Sequence, residues 1–205
     1  MERRLKVGPC LDRNGYWDTK TMALAALVAF QAMFVCFSAK AQDDVPSLDN
    51  KCFNDHAHMV GKRDRAAIRA LCRKADKSGV PMMVVTVKSV SDYNVRPMRF
   101  DSFVTDVFDE WDIEYDQANR AILLFVARKE HQIRIKLGDG YPDKAWKKAK
   151  NIMVRTVGPS LRRRASSGIR RGFARLYREV VKPYVRAQKR KDDLEKSKRG
   201  HVNFE

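Results

Sequence analysis

Residues 119–141 constrain the fold more than any other stretch of the chain. They read N-R-A-I-L-L-F-V-A-R-K-E-H-Q-I-R-I-K-L-G-D-G-Y. Ala121 to Ala127 is an unbroken apolar run, which predicts a strand buried on both faces. Ile133, Ile135 and Leu137 then alternate with Gln132, Arg134 and Lys136, which predicts a strand wet on one face. The polar link Arg128–His131 is four residues long, so the two strands form an antiparallel hairpin. The hairpin runs into Gly138-Asp139-Gly140, where glycines free the backbone.

The flanking sequence supplies helices. Ala66, Ile68, Leu71, Cys72 and Ala75 fall on one face of a helix over 62–77, stopped by Ser78-Gly79. Met82 to Val87, M-M-V-V-T-V, has strand length and strand residues. Phe100, Phe103, Val104, Val107, Phe108 and Trp111 form a helical stripe, read as core rather than an aromatic binding box. This helix lies between two buried strands and predicts a right-handed parallel crossover. Ala145, Trp146, Ala149, Ile152, Met153 and Val157 mark another helix, limited by Pro159. Ile169, Phe173, Leu176, Tyr177, Val180 and Tyr184 mark the last core helix. The order predicts an α/β fold, a small mixed β-sheet flanked by helices in an α-β-α sandwich. Arg186 to Glu205 is charged and predicts a fraying tail.

Residues 22–37 carry no charge, and Ala39 and Ala41 follow in an A-x-A pattern. This predicts a signal peptide over 1–41, cut before Gln42, and a periplasmic or secreted product. The competing reading is an uncleaved anchor, but 16 apolar residues fall short of the roughly 20 a spanning helix needs. Residues 42–50 read as a linker, 51–187 as the domain and 188–205 as the tail. Cleavage removes six basic and three acidic side chains from a chain of net charge +17, leaving +14 on 164 residues. Export permits a bridge between Cys52 and Cys72; a pair of buried thiols is the equal alternative.

From Ser160 to Lys191 there are twelve basic residues and a single acid, Glu179. Arg162, Arg163, Arg164, Arg170, Arg171, Arg175 and Arg178 form the candidate anion-binding set. Such a field attracts membrane headgroups, an acidic glycan or an acidic protein. A solubilising face is the bland alternative. Export disfavours nucleic acid as the natural partner, and no aromatic strand face supports base stacking.

The ordered pieces resemble the TPM domain family. Asn54-Asp55 resembles its opening V-x-D segment, and residues 63–68, R-D-R-A-A-I, its first helix. Residues 108–113, F-D-E-W-D-I, resemble its F-x-x-W-x-I/L, followed by the hairpin and Gly138-x-Gly140. Pro159-Ser160-Leu161-Arg162 resembles the P-x-F/L-R before its last helix. The resemblance implies thylakoid-lumen and exported bacterial relatives, acid phosphatase activity and acidic groups that converge at the sheet's carboxyl edge to hold calcium. The chain departs from that pattern. Ala118-Asn119-Arg120 stands where members carry Asp-Asn-Gly, and Tyr141-Pro142-Asp143 is followed by Lys144, Lys147 and Lys148. Asp55, Asp116, Asp139 and Asp143 remain weak metal candidates, with solvated loop acids as the favoured alternative. No cofactor is expected, calcium being the doubtful exception.

His56 and His58 beside Cys52 match no closed zinc site. Gly138-Asp139-Gly140 lacks the third glycine and lysine–serine pair of a phosphate-cradling loop, and no Gly-x-Ser-x-Gly elbow occurs. Two functions follow from different warrants. An exported, non-catalytic binding or assembly module follows from the basic face. A divergent metal-dependent acid phosphatase-like enzyme follows from the resemblance alone.

Overall fold

The computed structural model describes residues 44–93, 99–111 and 119–202, with side chains to residue 199. Its strands are β1 (Phe53–Asp55), β2 (Met82–Val87), β3 (Ile122–Ala127) and β4 (Gln132–Leu137). Its helices are α1 (Lys62–Asp76), α2 (Phe100–Glu110), α3 (Asp143–Ile152), α4 (Ala165–Leu176) and α5 (Lys182–Val202). The sheet runs β1-β2-β3-β4. The first three strands are parallel, and β4 returns antiparallel to β3 with Ile122 opposite Leu137 and Ala127 opposite Gln132.

Alternation along β2 and β3 divides the core in two. Met82, Val84, Ile122, Leu124 and Val126 face α1, α3 and α4, where Ile68, Ile152, Ile169 and Phe173 pack. Met83, Val85, Leu123 and Phe125 face α2. Phe103 and Phe100 meet Phe125 edge-on, with centroids 5.7 and 5.9 Å apart. The aromatic stripe is therefore core, as its spacing predicts. The mixed sheet with helices on both faces is the expected α/β sandwich.

The sequence pattern misses β1, because three residues carry no periodicity. With β1 present there are two parallel crossovers. Both step the same way across the sheet, yet α1 and α2 lie on opposite faces, so the crossovers have opposite hands. The right-handed preference holds for only one of them. The polar face of β4 is also drier than its alternation predicts: Arg134 pairs with Asp101 of α2 at 3.2 Å, and the Lys136 ammonium lies over the Phe108 ring.

Cys52 and Cys72 are joined in a disulfide, with Cα atoms 5.9 Å apart. This resolves the two open readings in favour of the bridge. It ties the residue before the short edge strand β1 to α1, closing a 20-residue loop worth about 3 kcal/mol.

The last helix is longer than its apolar stripe. From Ala165 to Val202 the backbone stays helical, with a wide π turn over Tyr177–Val181. The charged segment expected to fray continues this helix, and its residues 189–199 are all exposed. Pro183 explains the neighbouring irregularity. Proline has no N–H for the carbonyl four residues back, at Glu179. The Lys148 ammonium fills that vacancy from α3, donating to the Glu179 carbonyl at 3.2 Å. A second π turn, Met153–Val157, precedes Pro159 in the same way. The turn after α3 lies close against α4. A Cβ at Gly172 would stand 2.2 Å from Val157 Cγ2, and one at Gly168 2.2 Å from Ser160 Cβ.

Candidate functional site

At the carboxyl end of β1, the Asp55 side chain is 4% exposed. One carboxylate oxygen accepts from the Met59 N–H at 2.9 Å and the Thr86 hydroxyl at 2.5 Å. The other accepts from the Val60 N–H at 3.1 Å and Arg65 at 3.4 Å. An ionised carboxylate has about four acceptor directions, and here each has a donor. His58, at φ 51°, closes the turn through its N–H to the Asp55 carbonyl. Asp55 thus folds the β1–α1 connection onto β2 and keeps no lone pair for a cation. Nearby, Glu130 of the β3–β4 link accepts from the Ser89 hydroxyl and from the Val90 N–H, pinning the end of β2.

The Gly138-Asp139-Gly140 loop lies at the other end of the sheet. The Gly138 N–H donates to the Ala121 carbonyl and the Gly140 N–H to the Asn119 carbonyl, each at 2.9 Å, extending the hairpin past the start of β3. Asp139 and Asp143 therefore sit where β3 begins, and Asp55 sits where β1 ends. Six-residue strands separate the ends by about 20 Å. The expected convergence of Asp55, Asp139 and Asp143 at the carboxyl edge does not form, because β4 carries the chain back before the loop. Asp116 lies outside the described residues. Among the described residues no three His, Cys, Asp or Glu side chains are grouped to hold a metal. Cys52 is bridged, and a His56 ring nitrogen lies 3.1 Å from the Ser47 carbonyl.

The seven candidate arginines divide into two sets. Arg170 pairs with Asp64 at 2.7 Å. Arg171 donates to the Ser160 and Ser167 hydroxyls at 3.1 and 3.3 Å. Arg175 grips both oxygens of Glu179, at 2.9 and 3.1 Å, and reaches Thr156 at 2.6 Å. Arg178 adds a contact to Glu179 at 3.0 Å. The hydrogen bond from Arg175 is the main cause holding the Glu179 carboxyl below its ordinary range; partial burial opposes it and Arg178 reinforces it. Arg162, Arg163 and Arg164 are exposed just before α4; their backbone is tied into the turn on Ser160, but their side chains make no hydrogen bond or ion pair with a described residue.

The residues with chemical potential are thus three unpaired guanidiniums and a loop end with exposed charges. The model described as TPM domain matches residues 53–179, more than half of the chain. The chain belongs to the TPM domain family. Among solved structures, the chain is similar to the N-terminal domain of a protein from P. gingivalis, at 19% identity and TM-score 0.54, covering 68% of this chain and 92% of that one. A Bizionia argentinensis protein, BA42, shows 18% identity and TM-score 0.49 over 62% and 84% of the two chains. The N-terminal domain of a Corynebacterium glutamicum protein shows 16% and 0.46 over 66% and 83%. The first of these likenesses shows the fold. A search of curated proteins finds no match.

Within this TPM domain, the pairings that sequence missed are the long-range ones. Arg175 and Glu179 are four residues apart on a helix, a legible spacing. Asp64 gives no such signal toward Arg170, or toward Ser166, whose hydroxyl reaches it at 2.6 Å.

Proposed function

We propose that this TPM-domain protein is an exported, non-catalytic binding or assembly module that engages an anionic partner through Arg162, Arg163 and Arg164. The observation that carries the reading is their exposure without an internal partner, beside four arginines already committed within the fold. Three adjacent free guanidiniums keep their full field for an outside anion on a chain of net charge +17. Carboxylate-rich glycan, anionic headgroups and acidic protein share the chemistry they recognise.

Export rests on the apolar run 22–37 and the Ala39 and Ala41 pair. The disulfide supports it, since such bonds persist in oxidising compartments. No helix among the described residues is long and apolar enough to cross a membrane. Mass spectrometry of the mature protein is expected to find Gln42 at the N-terminus; an intact residue 1 would support the anchor instead.

The test of function is binding to anionic vesicles, heparin and an acidic protein across a range of salt. At least one is expected to bind, more weakly as salt rises, and to lose affinity when Arg162, Arg163 and Arg164 become Gln. Binding indifferent to ionic strength contradicts the reading. So does hydrolysis of an aryl phosphate that disappears in Asp116→Ala, which would establish the phosphatase alternative.

A further inference from the structure

A cleft of about 450 Å³ opens between the Asp139–Pro142 loop, α3 and the first half of α5. That volume lies within the range of small-molecule sites, roughly 300–1,000 Å³. Arg164 and Val180 are 16 residues apart on a continuous helix, so the cleft lies about 24 Å from the arginine cluster.

Part of its wall is apolar. Tyr141 and Tyr184 pack with ring centroids 4.5 Å apart, beside Val180, Ala145 and Ala187. The Tyr141 hydroxyl donates to the Arg120 carbonyl at 2.8 Å, and burial pushes its pKa upward, with Tyr184 adding to the shift and Arg120 opposing it. Tyr141 therefore presents a ring and no spare proton. Two further polar groups are committed. Glu179 is neutralised by Arg175 and Arg178, and Lys148 is held on the Glu179 carbonyl. The charged groups that remain free are Lys144 on one wall and Lys191 on the other, with Asp139 on the rim and the Gln188 amide beside them. None of these side chains forms a hydrogen bond or ion pair with a described residue.

We infer that this cleft binds an organic carboxylate with a flat apolar body of one or two rings. The tyrosine and aliphatic walls take the body, and the Lys144 and Lys191 ammoniums take the carboxylate. Asp139 opposes one of these two charges, while Lys148 keeps its own charge but has its ammonium held on the Glu179 carbonyl. A neutral ring compound gains the walls alone, and acetate gains the ammoniums alone. The inference does not rest on the arginine cluster, and variants at the two places separate their failures.

The experiment is an NMR titration of the mature chain, following the Gly140, Ala145 and Ala187 resonances. The probes are 2-naphthoate, 2-naphthylmethanol and acetate. Naphthoate is expected to shift all three resonances and to bind about tenfold more tightly than the alcohol. Lys144→Gln with Lys191→Gln should weaken it about tenfold while leaving distant resonances in place. Asp139→Asn should tighten it about threefold, an improvement no unfolding variant can mimic. Arg162→Gln should leave it unchanged. Equal binding of acid and alcohol, or no shift at the three resonances, overturns the inference.

Discussion

Asp55 and Asp139 flank opposite ends of the same sheet, and their surroundings could hardly differ more. Asp55 is buried with two backbone N–H groups, a hydroxyl and a guanidinium on its oxygens. Asp139 is exposed on a glycine-flanked loop with no partner among the described residues. The first carboxylate builds the fold and has no bonding capacity left. The second contributes little to the fold and tunes the charge of an open cleft. The same division runs through the arginines: Arg170 and Arg175 are spent on Asp64 and Glu179, while Arg162, Arg163 and Arg164 are not. Residue type alone does not separate a structural charge from an available one; the count of satisfied donors and acceptors does.

The sharpest way to break this comparison is to remove both acids. Asp55→Ala strands two backbone donors and the Thr86 hydroxyl and is expected to cost about 4 kcal/mol in urea unfolding. Asp139→Ala should stay within about 0.5 kcal/mol of the parent. Similar losses in the two variants would end the distinction.

Next in size is the bridge beside Asp55. Cys52→Ser with Cys72→Ser is expected to lower stability by about 3 kcal/mol and to loosen β1 first in hydrogen exchange. Gly172→Ala, aimed at the close contact between α4 and the turn after α3, should cost about 1–3 kcal/mol because its methyl would strike Val157. The smallest effect is acid sensitivity. Glu179 has a folded pKa lowered from 4.5, chiefly by the Arg175 hydrogen bond. Its contribution is complete above that ordinary value and fades as pH falls through the lowered one. Glu179→Gln should therefore lower stability slightly at neutral pH, flatten the acid limb of the profile and converge on the parent at low pH.

Most of the scaffold was legible in the sequence. The run Ala121–Ala127, the alternation after it and the stripe from Phe100 gave strand, strand and helix because each repeats one periodicity over several residues. β1 escaped because three residues repeat nothing. The position of the acidic loop differs from the expected one for a topological reason: the antiparallel return of β4 puts Asp139 at the beginning of β3, away from Asp55. The arginine set was visible as a charge run, but its division was not. Arg170 finds Asp64 from another helix, and no local pattern encodes that pairing. The cleft's rear wall depends on Lys148 satisfying a carbonyl that Pro183 leaves open, a link between residues 35 apart in sequence.

The central claim is that Arg162, Arg163 and Arg164 are the charges available to an outside anion. It is tested most directly by the affinity for heparin as salt is raised, in the parent chain and in the variant with all three changed to Gln. The expected result is a steep fall of affinity with salt in the parent, and a weaker affinity with a visibly shallower slope in a variant of unchanged stability. A variant that binds as tightly as the parent, with the same slope, would contradict it.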